Sequence, residues 1–228
     1  MAQSSLPEFF LLFYDLMGEK TTKKQFPEKS FVFSRLTLYN EGKEQEAQVE
    51  MNLMVAADDN WAIGNKNELL ITIPADHRLF RQETEGKVVV YGRKTLSTFP
   101  QKMPLPGRVN VILSSSRDFQ VKGAKVAHDL EELFEELRKY PREQIYVIGG
   151  ESVYRQLLPY CRVAHVTKIH CRYQADAFFP DLDAQPGWRL AADSEEQTYF
   201  DVTYHFLKYE KKDAIDFSVK RDNNKTHK

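Results

Sequence analysis

The sequence predicts a single α/β domain on an eight-stranded, mostly parallel central sheet with flanking helices, and three observations carry that prediction. Between Met51 and Glu210, strand-like runs alternate with helix-like ones. Central runs such as Val88-Val89-Val90 and Tyr146-Val147-Ile148 are continuously apolar, as strands covered on both faces must be. The last two runs alternate in polarity across a short connection, which predicts an antiparallel hairpin at a sheet edge.

Taken in order, the chain begins with its most apolar run, Phe9 to Met17, bracketed by Glu8 and Asp15. It is too short to span a membrane, and no positive start or small-residue cleavage site marks it as a secretory signal. A cytoplasmic protein that does not engage membranes is expected. A polar stretch from Gly18 to Ser30, a β-leaning segment from Phe31 to Tyr39 and a charged segment from Glu41 to Glu50 show no catalytic pattern. Residues 1–50 therefore read as an N-terminal extension.

Strands are expected at Asn52 to Ala57, Lys87 to Tyr91, Val109 to Ser114, Lys125 to Ala127, Gln144 to Ile148, Val163 to Ile169, Arg189 to Gln197 and Thr203 to Tyr209. The cleanest helix runs from Asp129 to Tyr140. Asp129 can cap its first turn with Glu132 three residues on, Leu130, Leu133, Phe134 and Leu137 share one face, and Pro141 stops it. Further helices are expected after Pro74, Gly92 and Gly150. The segment from Trp61 to Ile73, with a glycine and a polar middle, reads as a mobile lid between the first strand and the first helix. Residues 211–228 mix charges with Asn223, Asn224 and Thr226 and read as a flexible tail, leaving 51–210 as the domain.

Composition narrows the function. In 228 residues, 32 basic and 33 acidic side chains leave a formal net charge of −1, which denies the chain an overall pull toward nucleic acid. Cys161 and Cys171 are too few for a disulfide scaffold, and no Cys/His spacing suggests a metal site.

Ligands of open α/β sheets bind beyond the carboxyl ends of strands, so those junctions are where chemistry is sought. Val88 to Tyr91 runs into Gly92-Arg93-Lys94-Thr95, and Ile145 to Ile148 into Gly149-Gly150-Glu151-Ser152. Either glycine could simply turn the chain. A third donor-rich end, Ser114-Ser115-Ser116-Arg117 after Val109 to Leu113, favours a phosphate-rich dinucleotide. Arg93 and Arg117 with the serines suit the 2′-phosphate of NADPH better than the bare ribose of NADH, although no GxGxxG fingerprint is present. Asp76 follows Pro74 and Ala75 in the first turn of a helix, with Leu79 and Phe80 one turn on. It either favours the helix dipole from solvent or borders an apolar pocket as a carboxylate with a raised pKa.

In unbroken order from Asn52 to Glu210, these residues resemble dihydrofolate reductases. The match runs through Ala62-Ile63-Gly64, Pro74-Ala75-Asp76, Gly92-Arg93-Lys94-Thr95, Leu105-Pro106-Gly107-Arg108, Val109 to Ser115, Ile148-Gly149-Gly150 with Val153-Tyr154, Thr167, and Phe179-Pro180-Asp181. The resemblance implies an NADPH-dependent reductase of dihydrofolate, with Asp76 as the active-site acid and Thr167 as its orienting partner. It implies Arg108 for the substrate's α-carboxylate, and Met54, Leu69, Phe80 and Phe99 as walls around the pteridine and benzoyl groups. It places Ala56, Ala62, Ile63, Gly64, Asn65, Arg93, Lys94, Thr95, Ser114, Ser115, Gly149, Gly150, Glu151, Ser152, Val153, Tyr154 and Gln156 against NADPH, Tyr154 beside the nicotinamide. A monomer is expected unless the N-terminal extension mediates association.

The sequence departs from the family at Ile71 and Thr72, where many members carry a tryptophan. His77, Arg78 and Arg81 also make the first helix more polar than a benzoyl-lining helix usually is, and either Gln101 or Lys102 is the companion of Arg108. Two other readings stay open: the related reductase of riboflavin synthesis, acting on a ribosylated pyrimidine, and a nucleotide-binding protein of the same fold without turnover.

Overall fold

The computed structural model describes residues 51–211; the expectations for residues 1–50, with their apolar run, and for the tail from 212 onward lie outside the described residues. In chain order the elements are β1 (Met51–Asp58), β2 (Ala62–Asn65), β3 (Glu68–Leu69), α1 (Pro74–Thr84), β4 (Val88–Gly92), α2 (Arg93–Leu96), β5 (Val109–Leu113) and β6 (Lys125–Ala127). They continue with α3 (Leu130–Leu137), β7 (Ile145–Gly149), α4 (Glu151–Leu157), β8 (Cys161–Ile169), β9 (Ala177–Phe178), β10 (Trp188–Asp193), β11 (Gln197–Tyr199) and β12 (Val202–Lys211).

The central sheet runs β10-β12-β8-β1-β7-β4-β5-β6, with β11 added beside β12. Every neighbour pair from β8 through β1, β7, β4 and β5 to β6 is parallel, whereas β12 lies antiparallel to β8, β10 and β11. The expected α/β class, with its mostly parallel sheet and antiparallel C-terminal strands, is the fold found.

The apolar runs are buried on both faces, for the reason their composition implied. In β4, Val88 and Val90 join one core cluster with Leu133 and Leu137 of α3 and Val153 and Leu157 of α4. Val89 and Tyr91 point the other way, into a cluster with Met54, Ile112 and Ile148 against which Leu79 and Phe80 of α1 pack. The strand's period of two delivers a continuous run to two cores at once. Each of the three valines is at most 2% exposed, and burial of such a side chain stabilises by roughly 1.5–3 kcal/mol.

Helix boundaries follow the local signals. Pro74 opens α1, where its missing N–H costs nothing, and the chain leaves the helix at Glu85. Asp129 caps α3 by accepting from the Glu132 N–H at 2.9 Å, while the Glu132 carboxylate accepts from the His128 N–H at 2.7 Å. The reciprocal bond thus reaches one residue further back than in the usual capping box.

Three details differ from expectation. The lid segment is a hairpin, β2–β3, that joins β9 in a small antiparallel sheet of its own. Its turn is made by Lys66 and Asn67, both with positive φ, 51° and 63°, the left-handed pair a two-residue hairpin requires. The run expected as one strand from Arg189 to Gln197 breaks after Asp193 into β10 and β11, each paired to a different stretch of β12. The C-terminal hairpin keeps its expected place at the sheet edge, with β10 outermost and β12 joined to β8. Finally, Lys211 is the last residue of β12, paired with Trp188, and not the first of the tail.

Candidate active site

The carboxyl ends of β1, β4, β5 and β7 open into one cleft of about 1500 Å³, closed on another side by α1 and the β2–β3 hairpin. The junctions singled out by sequence therefore meet in space. Arg93, Lys94 and Thr95 follow β4, Ser114 and Ser115 follow β5, and Gly149 to Gln156 follow β7; all reach the cleft wall except Leu157 onward.

Asp76 stands in the first turn of α1 and faces the cleft, not open solvent. The Thr167 hydroxyl, buried on β8, donates to Asp76 Oδ1 at 2.6 Å. Thr167 thus lies behind the carboxylate and off the cleft wall. Burial raises the Asp76 pKa above the ordinary carboxylate value, and the Thr167 hydrogen bond and the nearby His77 pull it back down. Of the two readings of Asp76, the pocket-bordering one is the geometry observed. Met54, Leu69, Phe80 and Phe99 line the same cleft, as does Ile71, whereas Thr72 does not.

Arg108 is held before any ligand arrives. Its Nε donates to Thr84 Oγ1 at 3.2 Å, and its terminal nitrogens donate to the carbonyls of Pro106 at 2.7 Å and Arg81 at 3.2 Å. These bonds fix the plane of the guanidinium fork, the property that makes an arginine a selective carboxylate partner. Gln101 lines the cleft near this region and Lys102 does not.

The glycines at the strand ends allow a close approach. A Cβ on Gly150 would lie 3.2 Å from Thr95 Oγ1, and one on Gly149, at φ +120°, would lie 3.2 Å from the Tyr154 ring. Any side chain there would push apart the starts of α2 and α4, which together present backbone N–H groups and the Arg93 and Lys94 cations. Tyr154 is fully enclosed. Its hydroxyl donates to the Met54 carbonyl at 2.6 Å, its ring packs edge-on to Phe179, and burial raises its pKa well above that of free tyrosine.

Ala56, Ile63, Gly64 and Asn65 also line the cleft, whereas Ala62, the first residue of β2, is buried off the cleft wall and anchored by its N–H to Asp58 Oδ1 at 2.9 Å. Arg117, read from sequence as a second phosphate cation, turns instead to Glu132 at 2.7 Å and Asp129 at 3.6 Å and does not reach the wall. His128 lines the cleft in its place, its Nδ1 3.0 Å from the Ser114 carbonyl. Sequence reasoning passed over His128, although it immediately follows β6 and the same strand-end rule would have found it.

Comparison with known proteins agrees with this geometry. The family model described as dihydrofolate reductase matches residues 50–211. The dihydrofolate reductase of Bacillus subtilis is 33% identical over 168 residues, 72% of this chain and 96% of that protein. That of Staphylococcus haemolyticus is 30% identical over 160 residues, 69% of this chain and 94% of its own. A solved structure, dihydrofolate reductase from Enterococcus faecalis complexed with NADP(H) and RAB-propyl, superposes with a TM-score of 0.65 at 30% identity, covering 73% of this chain and 98% of its own. With so nearly the whole length of its relatives matched in sequence and in fold, this chain belongs to the dihydrofolate reductase family.

Proposed function

We propose that the protein reduces 7,8-dihydrofolate to 5,6,7,8-tetrahydrofolate with NADPH. The observation that carries this reading is the Asp76 carboxylate, bound by Thr167 at 2.6 Å and set into a partly apolar cleft of the family's fold.

The cleft suits the cofactor by its donors. Arg93, Lys94, Ser114, Ser115 and His128 supply cations and hydrogen-bond donors for phosphates, and Gly149 and Gly150, which line the cleft, let Tyr154 and Thr95 pack close against that corner. Ala56, Ile63, Gly64, Asn65 and the stretch from Glu151 to Gln156 line the rest of that path, with Tyr154 beside the nicotinamide. When bound, NADPH supplies the hydride, delivered from nicotinamide C4 to pteridine C6.

Asp76 holds the pteridine through its 2-amino group and N3 and favours protonation at N5, a role suited to a carboxylate whose burial raises its pKa. Thr167 fixes which way that carboxylate faces. Arg108 pairs with the α-carboxylate of the glutamate tail, and Met54, Leu69, Phe80 and Phe99 wall the rings between the two anchors. The chain's part in rate enhancement is largely positional, since both ends of the substrate are held while the hairpin covers the cleft from solvent.

Among the described residues, no helix is long and apolar enough to cross a membrane. The near-zero net charge gives no general attraction for nucleic acid, and the protein is read as a monomeric cytoplasmic enzyme of folate metabolism that acts on small molecules. Loss of nicotinamide absorbance on adding dihydrofolate tests the activity, and NADPH should be used at least about tenfold faster than NADH, since the cations favour a 2′-phosphate. Absence of dihydrofolate-dependent turnover, or turnover only with a ribosylaminopyrimidine, overturns the reading.

A further inference from the structure

Outside the cleft, the C-terminal strands gather a second cluster of chemically capable side chains. His170 follows β8, Glu196 lies in the connection between β10 and β11, and His205 sits within β12. In sequence they are far apart. Strand pairing unites them: the His170 N–H donates to the Thr203 carbonyl at 2.9 Å, and pairing of Gln197 with Tyr204 sets Glu196 opposite His205. One ligand atom from each lies within 4.8 Å of the others, and the two imidazole rings stand edge to face with centroids 5.1 Å apart.

We propose that His170, Glu196 and His205 bind a divalent transition metal ion, zinc being the best match. The donor set is two imidazoles and one carboxylate, which suits zinc and its neighbours far better than magnesium or calcium, whose sites are built of oxygen.

A second feature supports this assignment independently of the ligands. His205 Nδ1 lies 2.7 Å from Asp193 Oδ1 and 3.0 Å from the Ser194 carbonyl, and His170 Nδ1 lies 3.4 Å from Asp59 Oδ1. In the tautomer that donates from Nδ1 to the carboxylate, Nε2 keeps its lone pair for a metal. This is the carboxylate–histidine arrangement that orients metal-bound imidazoles. Zinc bonds of about 2.1 Å place tetrahedral ligand atoms about 3.4 Å apart. Glu196 is exposed on a short connection, so rotation of its side chain supplies the remaining approach. Three protein ligands leave the fourth position to water. A bound ion would tie β8, β12 and the β10–β11 connection together, and through Asp59 it would reach the turn that leads into the β2–β3 hairpin.

The test is calorimetric titration of the untagged full-length chain, stripped with EDTA, using zinc chloride and separately magnesium chloride. One saturable zinc site per chain and no magnesium site are expected. His170→Ala, His205→Ala and Glu196→Gln should each weaken zinc binding by about tenfold or more, and Asp193→Asn by about tenfold through the lost orienting bond. Cys171→Ser and His227→Ala should leave affinity unchanged. Zinc should raise the melting temperature of the parent protein and not that of the His170→Ala/His205→Ala double variant. Retained dihydrofolate-dependent NADPH oxidation in each variant reports that it is folded. The proposal is overturned if the parent protein shows no saturable zinc binding, in which case the cluster is two surface histidine–aspartate pairs only. Undiminished affinity in the double variant, or affinity lost with Cys171 or His227, overturns it equally.

Discussion

Asp76 is held between opposed influences, and they make a prediction in which stability and activity move apart. Burial raises its folded-state pKa above the ordinary carboxylate value of 3.8, more than Thr167 and His77 lower it. A raised folded pKa means that folding favours the neutral acid. That contribution is fully present below the unfolded pKa and is lost as pH rises through the folded one. At neutral pH the ionised carboxylate is therefore a net cost to the fold. Asp76→Asn is expected to melt at a higher temperature than the parent at pH 7, and to lose this advantage below the unfolded pKa. The same change should lower kcat by about 100-fold or more, the usual worth of a positioned acid, while leaving NADPH affinity unchanged. A melt series over pH beside steady-state rates decides it; full activity of Asp76→Asn would remove Asp76 from the mechanism. Thr167→Val separates orientation from acid strength. With the hydroxyl gone, the remaining burial raises the Asp76 pKa further, so the Asp76-dependent limb of the kcat/KM profile should move to higher pH. The fold should lose about 1 kcal/mol, the net value of one hydrogen bond, and an unmoved profile would leave Thr167 a merely structural role. Asp76 and Thr167 were legible in the sequence through their motif positions. Their contact was expected only through the family resemblance: the residues alone left Asp76 open to a solvated first-turn position, and ninety-one positions separate it from Thr167.

At the scale of elements, the least legible part of the fold is the hairpin that covers the cleft. Ala62-Ile63-Gly64-Asn65 lacks alternation, its turn residues are Lys66-Asn67 and not an Asn-Gly pair, and its partner β9 lies more than a hundred positions along the chain. A strand held mainly by distant pairing leaves little local signal. What fixes it is Asp58, fully buried at the end of β1. Its Oδ1 accepts from the N–H groups of Asn60 at 2.8 Å and Ala62 at 2.9 Å, and its Oδ2 from that of Tyr173 at 2.9 Å. Above this knot Lys168 lies 3.9 Å from the Trp61 ring centroid and donates to the Asp58 carbonyl at 2.8 Å. One carboxylate therefore pins both the turn before β2 and the segment before β9. Asp58→Ala would leave three N–H groups without their acceptor and is expected to cost about 3 kcal/mol. Because β2 carries Ile63, Gly64 and Asn65 to the cleft, NADPH affinity should fall with it. Chemical denaturation and cofactor titration measure the two effects; lost stability with intact NADPH affinity would show that the hairpin's position does not govern cofactor binding.

For the whole molecule, the structure brings Arg93 and Lys94 to the cleft wall and leaves Arg117 off it. A chain with a formal net charge of −1 has no general attraction for anions, so a phosphate site has to be local. Arg93 and Lys94 line the cleft, but Arg117 is taken by the acidic start of α3 and His128 stands at the wall, an exchange decided by side-chain geometry that spacing alone does not encode. The larger question is which part of the chain the enzyme needs. Met51, the first described residue, is fully buried in β1 opposite Cys161, and Lys211, the last, pairs with Trp188 at the other end of the sheet. Among the described residues, the strands of the central sheet run between these two, and those that line the cleft run from Met54 to Ala177. Relatives of which 96% and 98% is matched use 72% and 73% of this chain. Residues 51–211 on their own should therefore fold in one cooperative transition and reduce dihydrofolate with the kcat and KM of the full chain. Steady-state kinetics of the two forms, beside their masses in solution, test this at the scale to which it belongs. A mass above one chain for the full-length form alone would assign association to the residues outside 51–211, and removing residues 1–50 by themselves would tell whether their apolar run is responsible. Soluble, cooperative residues 51–211 with reduced turnover would instead make the extension a working part of the enzyme and defeat the claim that the domain is sufficient.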